Sequence, residues 1–513
     1  MIGKVYSAAV LGVNAYKVTV EVDISKGLPS YSTIVGLPDS AVKESKDRVE
    51  TAIKNSGFKF PVQRVTVNLA PADIKKEGSN FDLPIALGIL AAQGIVSKEN
   101  LADFLILGEL SLSGELHGVR GILPIAMTAP KLGFHKMIIP DPNKNEAAIV
   151  KEIRVYPIKT LKEAVSFLCE ELEIQPHKVD VAQLFEKESR YEVDFSDVRG
   201  QEGAKRALEV AAAGGHNVLM IGPPGAGKTM LAKRIPTILT ELSLSEALET
   251  TKIHSVAGLI PPEKGIVATR PFRFPHHTVS DAGLIGGGTY PKPGEISLAH
   301  NGVLFLDELP EFNKKALEVM RQPMEDEEVT ISRVIMTITF PSRFMLVSAM
   351  NPCPCGYFGD LYHNCSCTPT MIQRYVSKIS GPLLDRIDIH IEVPSLPYKE
   401  LASKEMGEES KEIRKRVNKA REVQLERYRD RKAIYCNAQL SQKDLRKYCE
   451  IDNSSQELLK LAIEKFGLSA RAYSRILKVA RSIADLDGSL DIKPEHISEA
   501  IQYRTLDRKY WLR

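Results

Sequence analysis

An apolar tetrad, Val218-Leu219-Met220-Ile221, runs directly into Gly222-Pro223-Pro224-Gly225-Ala226-Gly227-Lys228-Thr229. Met230-Leu231-Ala232-Lys233-Arg234 then follows with helical character. A buried strand, a glycine-rich turn and a helix start in that order match G-x-x-x-x-G-K-[ST] in its required context. The glycines let backbone N–H groups turn inward around a triphosphate. Lys228 can reach the β- and γ-phosphates, and the Thr229 hydroxyl can ligate Mg²⁺. Downstream, Gly302-Val303-Leu304-Phe305-Leu306-Asp307-Glu308 is a second apolar run, ending in two carboxylates. It predicts a parallel strand whose C-terminal end faces the ligand crevice. There Asp307 would hold Mg²⁺ and Glu308 would polarise the attacking water. Its spacing after a phosphate loop favours this reading over a merely solvated strand end.

The chain has 513 residues, enough for about three or four domains. With 43% hydrophobic and 26% charged residues, its composition is that of a globular protein. No apolar run reaches membrane-spanning length, and no charged segment precedes a short apolar one as in a leader. A cytoplasmic location with no membrane partner is the default expectation. A net charge of +3 neither demands nor excludes nucleic acid, so any basic surface must be local.

Four of the seven cysteines cluster, as Cys353-Pro354-Cys355 and Cys365-Ser366-Cys367. Paired cysteines of this kind argue for metal or redox chemistry over a disulfide frame. C-x-C is tighter than the usual zinc knuckle. Structural Zn²⁺ and free thiols or a labile disulfide therefore stand as alternatives.

Along the chain, residues 1–170 mix β-branched stretches with helical ones and predict an α+β domain. Residues 171–194 are charged and lack an apolar period, as in a linker. Residues 195–395 alternate helices with buried strands, the pattern of an α/β parallel sheet. Residues 396–513 are helical in spacing.

Three literal strings add a resemblance: Arg270-Pro271-Phe272-Arg273-Phe274-Pro275-His276-His277, Pro293-Gly294-Glu295-Ile296-Ser297-Leu298-Ala299-His300-Asn301-Gly302, and Met350-Asn351-Pro352-Cys353-Pro354-Cys355-Gly356. With the two nucleotide motifs, they resemble the magnesium-chelatase-like branch of the AAA+ ATPases, and within it the ComM/YifB family. The resemblance covers essentially the whole chain. It implies an α/β AAA+ core carrying the Cys-rich loop 353–367, an N-terminal α+β Lon-like domain and a C-terminal helical lid. It further implies a hexameric ring that hydrolyses ATP with Mg²⁺. Such a ring would bind single-stranded, duplex or branched DNA and drive helicase and branch-migration steps in natural transformation.

Residue roles follow from the same resemblance. Asn351 resembles a sensor that hydrogen-bonds the attacking water; as a turn residue before Pro352 it would need no such role. Arg386 resembles an arginine finger for the neighbouring subunit; its alternative is a salt bridge with Asp385 or Asp388. Arg471 resembles the second sensor, in its own subunit or its neighbour. Val198-Arg199-Gly200-Gln201 resembles an adenine-side pocket, or is an ordinary helix entry. Arg333, near the tip of a hairpin spanning residues 328–340, and Arg270 and Arg273, in an insertion spanning residues 257–290, resemble pore elements that grip DNA phosphates. The alternative is contact with adjacent subunits. His276 and His277 lack a third metal ligand and fit structural or phosphate-facing roles.

The N-terminal strings Val67 to Asp73 and Leu107 to Leu116 resemble the Lon protease fold. A serine–lysine protease needs both partners. The lysine position falls on Pro124, and Ser79 has no matching partner, so peptidase activity is not expected. Two activities remain: a DNA motor, or the ATPase subunit of a metal chelatase acting on a protein partner.

Overall fold

A computed structural model describes residues 2–25, 33–73, 76, 78–288, 291–333, 336–397, 407–431 and 434–506. Packing divides the chain into two compact units. One comprises Met1–Ser189, Leu244–Ala268 and Pro291–Pro293; the other comprises Arg190–Ser243, Thr269–Tyr290 and Gly294–Arg513.

The first unit is built on a mixed sheet of β1 (Ile2–Leu11), β2 (Asn14–Ser25), β3 (Thr33–Val35), β4 (Arg64–Ala70), β5 (Phe104–Ile106), β6 (Lys136–Pro140) and β7 (Arg154–Ile158). Its spatial order is β3-β4-β2-β1-β5-β6-β7. In β2, alternation puts Val18, Val20 and Val22 on a fully buried face. Against it lies helix Asp82–Ala92, apolar on every side and buried along its whole length. Its one charge, Asp82, receives Arg48 in a bidentate pair, Nε to Oδ2 at 2.9 Å and Nη2 to Oδ1 at 3.2 Å. Ser79 Oγ donates to the Glu109 carboxylate, and Pro124 is buried in helix Ile122–Thr128.

Helix Leu244–Ala257 belongs to this unit although in sequence it lies between two stretches of the other. A buried carboxylate ties it there. Glu146 Oε1 accepts from Ser255 Oγ at 2.5 Å and from the Leu123 N–H at 2.9 Å. The Gly121 N–H donates to the Ser255 carbonyl at 3.1 Å. Burial raises the Glu146 carboxyl above its usual range, and these donors oppose that shift.

The second unit carries β8 (Val218–Ile221), β9 (Phe272–Arg273), β10 (Gly302–Leu306), β11 (Glu328–Ser332), β12 (Thr337–Pro341), β13 (Phe344–Met350) and β14 (Ile389–Glu392). Five of these strands form an all-parallel sheet in the order β9-β10-β13-β8-β14. Strands β11 and β12 make a separate antiparallel hairpin. Val334 and Ile335 of the expected hairpin, and Tyr290 at the end of the expected insertion, lie outside the described residues.

The two compact units meet in sequence at Ser189 and Arg190. Helix Val181–Glu188 forms inside the expected linker, capped by Asp180 accepting from the Ala182 and Gln183 N–H groups. The C-terminal helices share one apolar core with the parallel sheet: Ile389 and Val393 join Ile476, Leu477 and Ile497 in it. A polar hub reinforces that core. Buried Asp388 pairs with Arg475 at 2.8 Å on helix Ala470–Leu486, and with His216 Nδ1 at 3.3 Å just before β8. His216 Nε2 in turn meets Ser482 Oγ of the same helix at 2.8 Å. Burial would raise the Asp388 carboxyl, but Arg475 and His216 hold it well below the usual carboxylate range.

Removing one partner of a buried ion pair strands the other. Asp388→Ala should therefore destabilise the second unit by about 3 kcal/mol. Denaturant unfolding of the variant against the parent checks this; an unchanged midpoint would remove Asp388 from the hub.

Candidate active site

Parallel pairing brings three strand ends to one edge of the second unit's sheet. Ile221 is in register with Met350, and Leu306 with Ser348. The residues that follow, Gly222, Asn351 and Asp307, thus emerge side by side.

The phosphate loop is held tightly at its base. The Gly222 N–H donates to the Met350 carbonyl at 3.2 Å, and the Val393 N–H to the Ile221 carbonyl at 2.8 Å. A Cβ on Gly222 would lie 2.0 Å from the Val393 carbonyl oxygen, so only glycine fits there. Gly227, with φ +93°, opens helix Lys228–Ile238.

Lys228 is buried, and its ammonium donates to the Gly222 carbonyl at 2.6 Å, the Pro223 carbonyl at 2.9 Å and Asn351 Oδ1 at 3.1 Å. Burial pushes its pKa down to about 8, against the pull of Asp307 and Glu308. Thr229 Oγ1 donates to Asp307 Oδ2 at 2.7 Å. A hydroxyl beside a carboxylate is a hard-oxygen donor set, and it fits Mg²⁺. The ion would be held by Thr229 and Asp307, and bound there it would offset phosphate charge.

Glu308 takes a left-handed backbone, φ +53°, and is half exposed. Such strain in a non-glycine residue is typical of functional positions. Its carboxylate lies 3.3 Å from His277 Nδ1. His277 follows β9, which runs parallel to β10, so both residues leave the sheet at the same edge. This contact is not legible in the motif itself; the signal is the position of His277 just after an edge strand parallel to the acidic one. Gln201, in the adenine-side segment, donates from Nε2 to the Ala226 carbonyl at 3.2 Å and the Pro394 carbonyl at 2.8 Å.

Arg386 and Arg471 line a cavity of about 280 Å³ with Arg475, Lys478, Asp385 and Glu325; no phosphate-loop residue lines it. Arg386 pairs with Glu325, not with Asp385 or Asp388, and donates from Nη1 to the Pro382 carbonyl at 2.6 Å. Asp385 instead pairs with exposed Arg471 at 3.1 Å.

The three arginines expected on DNA differ in placement. Arg270 donates to the Thr240, Glu241 and Asn301 carbonyls and to the Thr240 hydroxyl. Arg273 forms a fork with Glu295, at 2.6 and 2.7 Å. Those contacts bind loops together within the unit, so both guanidinium groups have structural work. Arg333 is exposed at the end of the β11–β12 hairpin, where its N–H donates to the Met336 carbonyl at 2.9 Å. Its Nη2 lies 3.1 Å from where a Cβ on Gly287 would stand, beside the glycine run of the insertion.

The four clustered cysteines also converge. Their sulfurs all lie within 4.8 Å of one another. Cys353 is buried and the other three half-buried, on the segment that directly follows Asn351.

The depressed Lys228 makes nucleotide affinity pH-dependent. Below about pH 8 the group is charged and attracts the triphosphate; above it the free protein loses that charge. The Kd for ATP should rise by up to about tenfold per pH unit above pH 8. Titration calorimetry between pH 7 and 9.5 checks this, and a flat profile would show that Lys228 stays charged.

Family models cover most of the chain in three consecutive blocks. Subunit ChlI of Mg-chelatase matches residues 20–143, magnesium chelatase subunit ChlI matches 194–401, and the ChlI C-terminal model matches 407–504. Competence protein ComM of Haemophilus influenzae is 47% identical over 513 residues, covering 98% of this chain and 97% of that relative. Uncharacterized protein YifB of Escherichia coli (strain K12) is 45% identical over 507 residues, with 98% and 97% covered. Lon protease 2 of Bacillus subtilis is 32% identical over 149 residues, 26% of each chain. Among the described residues no helix is long and apolar enough to cross a membrane. Identity of this order along nearly the full length places the chain in the ComM/YifB family of magnesium-chelatase-like AAA+ ATPases.

Proposed function

We propose that this protein is an ATP-hydrolysing ring motor of the ComM type, hexameric, acting on DNA to drive branch migration during recombination in natural transformation. The observation that carries the reading is the convergence of Lys228, Thr229, Asp307, Glu308 and Asn351 at one edge of a parallel sheet. A binding scaffold has no need of a water-polarising carboxylate beside a cation site. Lys228 exchanges its carbonyl partners for the β- and γ-phosphates. Glu308, released from His277, accepts a proton from the attacking water. Asn351 orients that water. Arg386 and Arg471 leave Glu325 and Asp385 to serve the neighbouring subunit's γ-phosphate, a reading supported by their shared cavity away from their own phosphate loop. Arg333 is the DNA contact of the hairpin; Arg270 and Arg273, spent on internal partners, are not proposed for that role.

The competing reading is an ATPase subunit of a chelatase-like complex, favoured by the names of the three matching family models. DNA response separates the two. Stimulation of hydrolysis by single-stranded, duplex or four-way-junction DNA supports the motor; indifference to all three removes it.

Two substitutions test the assigned roles. Glu308→Gln keeps shape and loses charge, so it should bind ATP normally and lower turnover by at least about 10²-fold. Near-parent hydrolysis would take Glu308 out of the base role. Arg333→Ala should leave basal hydrolysis nearly intact while lowering DNA affinity and the salt slope of binding by about one unit. Unchanged junction unwinding in that variant would refute the hairpin contact.

A further inference from the structure

The four-cysteine loop joins two elements of the nucleotide site, and its construction leaves little else to hold it in shape. It begins where β13 ends, one residue after Asn351, and runs to helix Pro369–Val376. From Tyr357 through Arg374 no residue is fully buried, and Leu361 is 88% exposed. A segment that buries so little apolar surface lacks a core of its own to offset the entropy of ordering it.

The sulfurs supply the alternative. Cys353 and Cys355 Sγ stand 3.3 Å apart, Cys353 and Cys365 3.7 Å, and Cys355 and Cys365 3.6 Å. These separations are far longer than a disulfide bond of about 2.05 Å. They are close to the tetrahedral edge of about 3.8 Å that follows from Zn–S bonds of about 2.3 Å. Backbone donors surround the cluster as they do in thiolate sites. The Phe358 N–H reaches Cys353 Sγ at 3.3 Å, the Cys355 N–H reaches Cys367 Sγ at 3.3 Å, and the Cys367 N–H reaches Cys365 Sγ at 3.4 Å.

The turn between the first two cysteines and the rest of the loop lies against the phosphate loop. Gly356, with φ +90°, approaches so closely that a Cβ there would be 2.6 Å from Cδ and 2.8 Å from Cγ of Pro224. Further on, Asp360 Oδ1 accepts from Ser395 Oγ at 2.9 Å, just past β14.

We propose that Cys353, Cys355, Cys365 and Cys367 form a mononuclear zinc clasp that braces Pro224 of the phosphate loop, so that zinc occupancy sets the affinity of that loop for nucleotide. Four thiolates close the site, leaving no open position for substrate. The clasp is positioning machinery. It rests on the nucleotide-site reading above and adds a metal-dependent control to it.

The test uses the full-length protein purified without a metal-binding tag. Elemental analysis counts zinc and iron per chain, and equilibrium dialysis measures the Kd for ATP with Mg²⁺. One zinc per chain is expected in the parent. Cys365→Ser/Cys367→Ser should lose that zinc and bind ATP at least tenfold more weakly. Gly356→Ala keeps all four thiols, so it should retain zinc yet also lose ATP affinity, because its methyl group displaces Pro224. If the double variant does not fold, chelation of the parent followed by ZnCl₂ replaces it, with affinity expected to fall and return. Iron, no metal, or a zinc-free protein with parent-like ATP affinity overturns the inference. A parent that binds ATP without metal defeats the clasp alone. A parent that holds zinc but binds no ATP defeats the motor reading and takes the coupling with it.

Discussion

The ammonium of Lys228, withdrawn from water, is the constraint on which the nucleotide site turns. A buried cation is costly unless acceptors close around it. Here the acceptors are the Gly222 and Pro223 carbonyls of its own loop and the amide oxygen of Asn351 from the neighbouring strand. Satisfying one charge therefore fixes the curl of the phosphate loop and ties it to the end of β13. Phosphate oxygens are better partners than carbonyls for the same charge. On the proposed reading, the site is built in advance, and nucleotide would replace interactions already in place.

Around that charge the unit is assembled by burial. All four residues of β8 are fully buried, and its neighbours on both sides are parallel, so polar side chains can gather only at the strand ends. The C-terminal helices close the same apolar core from the other side of the chain. Asp388 sits between them and the sheet, holding Arg475 and His216. Whatever moves helix Ala470–Leu486, which carries Arg471, must act against that hub.

The first unit shows a second use of a buried charge. Glu146 gathers donors from helix Ile122–Thr128 and from Ser255, and so captures a stretch of chain that lies between two parts of the nucleotide unit in sequence. Nothing in the periodicity of residues 244–268 announces this. The helix there carries Ser255, whose partner Glu146 is 109 residues away. Boundaries read along the chain follow composition, whereas packing follows such pairings.

The features legible in the sequence were those encoded over short distances. The strand–turn–helix around Lys228, the apolar run ending at Asp307 and Glu308, the strand ending at Asn351 and the two C-x-C pairs each state their chemistry within about ten residues. Parallel pairing then makes such strand ends neighbours almost automatically. Long polar side chains behaved otherwise. Arg270 is taken by carbonyls of Thr240 and Glu241, Arg273 by Glu295, Arg386 by Glu325 and Glu308 by His277. Each of these partners lies 22 to 61 residues away. The sequence by itself determined the parallel-sheet nucleotide fold, because hydrophobic period and turn chemistry are local properties of the chain. Only the tertiary structure decided which charges face solvent and which are consumed inside, because that depends on which distant acceptors folding brings within hydrogen-bond reach.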